Sequence, residues 1–138
     1  MKKYFYILLI LILCNCSNDQ FNNSNPYIPN YSFSININTD LPTYNSLKFV
    51  SNGMYIPNAG ARGIIVFNTT GTSYVAYDAA CPNQALSACS TLFVNGINAK
   101  CNCDNAEYNL FTGQSPGKEY PMKAYRVEVI GAIIRVYN

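Results

Sequence analysis

Residues 99–113 read "AKCNCDNAEYNLFTG". Two cysteines stand one residue apart, an acid follows, and a polar and aromatic run ends at Gly113. Such a stretch can hold a metal, form disulfides or close a strand. Its reading depends on an upstream partner, "YDAACPNQALSACS" at 77–90, and on the absence of histidine from all 138 residues. Outside the N-terminal region these two stretches carry the four cysteines of the chain, Cys81, Cys89, Cys101 and Cys103. An even count in a small exported domain fits a disulfide framework, and four cysteines allow three pairings.

The reason to expect export lies at the start of the chain. "MKKYFYILLILILCNCSNDQ" opens with Lys2 and Lys3 and then runs apolar from Tyr4 to Cys14. That run is too short to span a bilayer and has the length of a secretory h-region. The following "LCNCSND" resembles a bacterial lipobox, with Leu13 three residues before Cys16. Residues 1–15 are therefore expected to be a signal peptide and Cys16 the lipidated residue; Cys14 is the alternative. Asn15 is bulkier than the small residue usual before the cleavage point. A multiply acylated cysteine gives the two or more chains that stable anchoring needs. Residues 16–31, rich in Asn, Ser and Pro, read as a lipidated flexible tether, and residues 32–138 as the folded domain. The expected location is the bacterial cell envelope, facing the periplasm or the exterior, with the membrane and an envelope protein as partners.

Charge narrows the partners further. Lys2 and Lys3 are two of nine basic residues, and removal of residues 1–15 leaves seven bases against seven acids. No basic stripe appears, which argues against a nucleic-acid partner. No phosphate-binding motif is present. Asp78, Asp104 and Glu107 form no recognisable acid/base pair, and Asp78 reads as a cap at a strand end. At most an electron-transfer component is expected, rather than an enzyme. The twelve tyrosines read mainly as core and turn packing, and the Asn-x-Ser/Thr triplets follow from the asparagine content.

The folded part has the marks of an all-β domain. "SFSININ" at 32–38 alternates Phe33, Ile35 and Ile37 with polar residues. "LKFV" and "MYI" flank "SNG" and suggest a hairpin. "GIIVFN" and "SYVAYD" flank "TTGT" and suggest another. "AYRVEVIG" and "AIIRVYN" form a third pair, turning at Gly131. Residues 79–113 show little regular period and read as an insertion between hairpins.

From about residue 60 onward the chain resembles a Rieske iron–sulfur domain. "VAYDAACP" looks like the strand leading into the first cluster loop, "AKCNCDNAEYNLFTG" like the second loop, and "YPMKAYRVEVIGAIIRV" like the proline-containing segment and closing hairpin. The resemblance implies an antiparallel β-sandwich with two adjacent cysteine-bearing loops. The family's ligands are Cys-x-His and Cys-x-x-His, two thiolates on one iron and two imidazoles on the other. Cys81 and Cys101 match the cysteines, whereas Asn83 and Asp104 stand at the histidine positions. Asn105 and Ala106 replace the family's Gly-Ser, and Tyr108 matches the aromatic that follows.

The resemblance also implies a pairing. Cys89 and Cys103 match accessory cysteines that bridge the two loops, so Cys89–Cys103 and Cys81–Cys101 are expected. A Cys101–Cys103 bridge would close a very tight ring. The expectation is a stapled domain without a cofactor. The alternative is a [2Fe–2S] cluster on altered ligands: Cys81, Cys101, Asp104 and one further cysteine. A zinc site from the four cysteines is a third reading, although the Cys-x-Cys spacing departs from the usual gap.

Overall fold

The computed structural model describes residues 21–138. The expected signal peptide, Cys14 and Cys16 lie outside the described residues. Among the described residues nine strands follow in order: β1 (Ser34–Asn38), β2 (Gly53–Ile56), β3 (Ile64–Asn68), β4 (Tyr74–Asp78), β5 (Leu92–Asn95), β6 (Asn98–Cys101), β7 (Glu107–Asn109), β8 (Ala124–Ile130) and β9 (Ile133–Tyr137). They form a six-stranded sheet of order β1-β9-β8-β4-β3-β2 and a three-stranded sheet of order β5-β6-β7. All pairings are antiparallel. The fold is all-β, as expected. Among the described residues no helix is long and apolar enough to cross a membrane.

β3 organises the packing. Its run IIVFN is buried at every position, the mark of a strand covered on both faces. Ile65 and Phe67 join Tyr77, Leu92, Ala99, Tyr108 and Leu110 in a core shared with the small sheet. Ile64 and Val66 point the other way, to Ile37, Leu47, Ile56, Tyr125, Ile134 and Val136. The period-two alternation thus divides one strand between two cores. The hairpins β3–β4 and β8–β9 stand where their apolar segments and turns placed them.

Three segments differ from the sequence expectation. "LKFV" and "MYI" do not pair. Pro42–Lys48 is a 3₁₀ helix with proline in its first turn, Leu47 is fully buried, and buried Asn68 donates its side-chain amide to the Leu47 carbonyl at 2.8 Å. β2 pairs with β3 instead. The irregular-looking 79–113 holds the whole small sheet, whose strands of three or four residues are too short to show a period.

The third difference is at the N-terminal side. Residues 23–31 pack on the domain rather than standing off it. Ile28 is buried, Asn23 donates to the Ala124 carbonyl at 3.0 Å, Asn25 donates to the Pro82 carbonyl at 2.9 Å, and Tyr27 meets Tyr120 edge to face.

Where β4 leaves the sheet, buried Asp78 anchors the first loop. One carboxylate oxygen accepts from the Ala80 N–H at 2.7 Å. The other accepts from the Ala61 N–H and the Tyr125 hydroxyl, each at 2.6 Å. Gly60 lies in the left-handed region at φ +63°, and a Cβ there would run into the Asp78 carboxylate and stand 2.9 Å from the Tyr125 hydroxyl. Burial, the hydrogen bond to Asp78 and its charge push the Tyr125 phenol far above its ordinary 10.0. A raised folded value means that Tyr125 contributes stability fully present below pH 10.0 and lost as pH rises beyond it. Tyr125→Phe leaves Asp78 short of a donor and is expected to cost about 1–3 kcal/mol in urea unfolding near neutral pH. Its alkaline loss of stability should be shallower than the parent's; an unchanged alkaline limb would remove Tyr125 from that role.

Candidate functional site

Three segments meet at one end of the small sheet. The first loop, 79–91, leaves β4 at Asp78 and is closed at its neck by the Ala80–Thr91 bridge and the Leu92 N–H to Ala79 carbonyl bond at 2.6 Å. The second begins at Cys101, the last residue of β6, and turns through 102–106. Asn105 takes a positive φ of 59° there, the Ala106 N–H donates to the Asp104 carboxylate at 3.0 Å, and the Asn105 N–H donates to the Cys101 carbonyl at 3.0 Å. The third runs from β7 to β8 and contains Lys118 and Tyr120.

Two disulfides join the first two loops. Cys81 pairs with Cys101 across a Cα separation of 5.7 Å, and Cys89 with Cys103 across 5.0 Å. This is the pairing that the resemblance implied. The inner bridge is buried, with Cys81 1% and Cys101 0% exposed, and both residues belong to the core shared by the two sheets. Gln84 donates its side-chain amide to Cys101 Sγ at 2.8 Å. The outer bridge lies at the surface, with Cys89 exposed and Cys103 partly so. The bridged residues are 20 and 14 positions apart. Each closure of that size is worth roughly 3 kcal/mol in the chain-entropy account.

The other two positions matching Rieske ligands are occupied differently, and both reach the third segment. Asn83 donates from Nδ2 to the Tyr120 carbonyl at 2.7 Å and to the Tyr108 hydroxyl at 2.9 Å. Its Oδ1 accepts from the Tyr120 N–H at 2.9 Å. Asp104 forms a 2.7 Å ion pair with Lys118. Burial alone would raise the Asp104 carboxyl, but the hydrogen bonds from Lys118 and Ala106 and the Lys118 charge together hold it below its ordinary 3.8. Tyr108 is buried, and burial raises its phenol despite the Asn83 amide.

As bonded here, this donor set does not fit a [2Fe–2S] cluster. The two matching sulfurs are bonded to each other, Asn83 offers an amide already engaged on both its atoms, and the chain has no imidazole. Among the described residues no group of three or more His, Cys, Asp or Glu side chains is placed to hold a metal. The zinc arrangement of four thiolates is not what the cysteines form. Gln84 lies within the first cysteine-bearing stretch and Tyr120 opens the proline-containing segment, but nothing in the sequence marks either side chain or Lys118; folding brings Gln84 to Cys101, Tyr120 to Asn83 and Lys118 to Asp104.

No family model and no curated protein matches the chain. Solved structures do. A chain in a complex of reduced oxygenase and oxidized ferredoxin in carbazole 1,9a-dioxygenase is similar at a TM-score of 0.50 and 17% identity, covering 77% of this chain and 92% of that one. A Sphingomonas yanoikuyae B1 ferredoxin gives 0.46 and 14%, covering 65% and 88%. A structure described as a putative NADH-dependent nitrite reductase small subunit from Mycobacterium tuberculosis gives 0.49 and 13%, covering 79% and 97%. The first of these likenesses carries the fold, which is Rieske-like; the other two, below 0.5, add no weight.

Asn83→Ala removes both bonds to the Tyr120 backbone and is expected to cost about 1–3 kcal/mol in denaturant unfolding. Asp104→Ala acts on an ion pair in partial contact with water and should cost less. With its pKa lowered, Asp104 contributes stability present above pH 3.8 and lost as pH falls through the lowered value. Reducing both bridges should raise amide exchange across 79–113 while β3–β4 and β8–β9 stay protected. A uniform rise would show that the loops do not open as a separate unit.

Proposed function

We propose that the chain is an exported lipoprotein, anchored through Cys16, whose Rieske-like domain has lost the histidine-ligated cluster. It serves as a disulfide-stapled structural or interaction module at the cell envelope. The observation that carries this reading is the fate of the four ligand positions. Two close the buried Cys81–Cys101 bridge, and two clamp the third segment through Tyr120 and Lys118. Each position therefore has a cohesive task in a domain without a cluster. Disulfides persist in oxidising compartments, which accords with export.

The second reading is a [2Fe–2S] electron carrier on altered ligands. It draws on the Rieske-like fold and on a neighbour described as holding an oxidized ferredoxin. In that reading Cys81, Cys101, Asp104 and one further cysteine would hold the cluster, which would supply one-electron transfer.

Protein prepared from the periplasm and from anaerobic cytoplasm separates the two. The first reading expects colourless protein without stoichiometric iron in both preparations, and four half-cystines in the periplasmic one. Iron near two per chain with visible absorbance, lost on Asp104→Ala, would establish the second. Anchoring is tested separately: Cys16→Ser should release the protein from membranes or block its maturation. If Cys14→Ser does so instead, the lipidated residue is Cys14.

A further inference from the structure

The two bridges differ in their surroundings. Cys89 is exposed and Cys103 partly exposed, whereas the inner sulfurs are buried. The Ser87 hydroxyl stands 3.4 Å from Cys89 Sγ and 3.6 Å from Cys103 Sγ, so its one hydrogen can turn to either sulfur. Arg62 donates from its guanidinium to the Ser87 carbonyl and brings a cation to the same turn. A hydroxyl and a nearby cation favour the thiolate that leaves when a disulfide is attacked.

The backbone around the outer bridge is held without it. Fully buried Ser90 accepts from the Ser87 N–H at 2.7 Å and donates to the Ser87 carbonyl at 3.0 Å. The Thr91 N–H donates to the Cys89 carbonyl at 2.8 Å, and the Cys81 N–H to the Ser90 carbonyl at 3.0 Å. The Asn102 amide donates to the Thr91 carbonyl at 3.2 Å, and β5 and β6 pair Leu92 with Cys101. These bonds tie the first loop to the second independently of the outer sulfurs. Opening Cys89–Cys103 therefore leaves the two sulfurs facing each other on either side of Ser87, ready to close again.

We propose that Cys89–Cys103 is a reversible dithiol–disulfide site that accepts an electron pair from a protein dithiol while Cys81–Cys101 stays closed. A thiolate of the partner attacks Cys89 Sγ, the exposed sulfur. The Cys89–Cys103 bond breaks, a partner–Cys89 mixed disulfide forms, and Cys103 leaves as a thiolate beside the Ser87 hydroxyl. The partner's second thiolate then attacks its own sulfur in the mixed disulfide and releases Cys89. The partner dithiol ends oxidised to a disulfide, and Cys89 and Cys103 have taken up two electrons and two protons. Attack at Cys89 rather than Cys103 follows from exposure.

The test is graded reduction of the full chain with dithiothreitol, followed by alkylation and peptide mapping. Cys89 and Cys103 should be labelled at a reductant concentration at least about tenfold below that needed for Cys81 and Cys101. The near-ultraviolet signal should be kept, and oxidised dithiothreitol should restore Cys89–Cys103. Reduced thioredoxin lacking its resolving cysteine should be trapped as a mixed disulfide on Cys89. Ser87→Ala should slow the opening several-fold without moving the thermal midpoint, and Ser87→Thr should recover the rate. Simultaneous opening of both bridges, loss of the tertiary signal on outer opening, or trapping elsewhere than Cys89 would overturn the proposal. Iron on Cys81 and Cys101 would sink the cluster-free reading and, because it needs the inner bridge open, this proposal too; the outcomes above overturn the proposal alone.

Discussion

The buried bond between Cys81 and Cys101 is the constraint on which the end of the molecule depends. Cys81 lies just beyond β4 of the large sheet, and Cys101 ends the middle strand of the small one. Apart from main-chain connections and packing, this covalent link sets where the small sheet sits over Ile65 and Phe67. Its sulfurs fill space inside the shared core, among Leu92, Ala99, Tyr108 and Met122. Interiors are close-packed, so a bond at that place fixes the neighbouring side chains as well as the two loops.

Around that bond the loops are joined in a consistent way. Asn83 and Asp104 come from different loops and both reach residues 118–120. Histidines at these positions would spend their side-chain nitrogens on a metal. An amide can instead donate to and accept from the main chain of one residue, as Asn83 does with the Tyr120 carbonyl and N–H. A carboxylate can take both a backbone N–H and an ammonium, as Asp104 does with Ala106 and Lys118. The residue types at the two positions suit a clamp, and the clamp makes the third segment part of the loop assembly.

Legibility in the sequence followed the length of the elements and the locality of their signals. β1 and the β8–β9 pair are long enough for alternation to show, β3 and β4 stand out as apolar runs on either side of a turn, and the two hairpin turns carry Gly71 and Gly131 at positive φ. The β5–β6–β7 sheet was hidden because three or four residues with Phe93 facing outward carry no period. "LKFV" at 47–50 reads as a strand, yet its first two residues close a 3₁₀ helix that begins at Pro42 and is held by the buried Asn68 amide. Residues 23–31 look like a tether by composition, and their asparagines turn out to bond to Ala124 and Pro82. Side-chain amides serve equally well in a solvated linker and in a docked one, so composition does not separate the two.

The sequence by itself determined the β class, the two cysteine-bearing stretches and the lack of any imidazole, because these are matters of residue type and near-neighbour pattern. It left the three cysteine pairings open, and only the resemblance chose among them. Tertiary structure decided which bridge is buried and which meets solvent, since that depends on where the small sheet lies over the large one. It also brought Gln84 to Cys101, Ser87 to Cys103, Lys118 to Asp104 and Tyr120 to Asn83. Those contacts join residues up to 37 positions apart, and a separation of that size leaves no local trace in a chain.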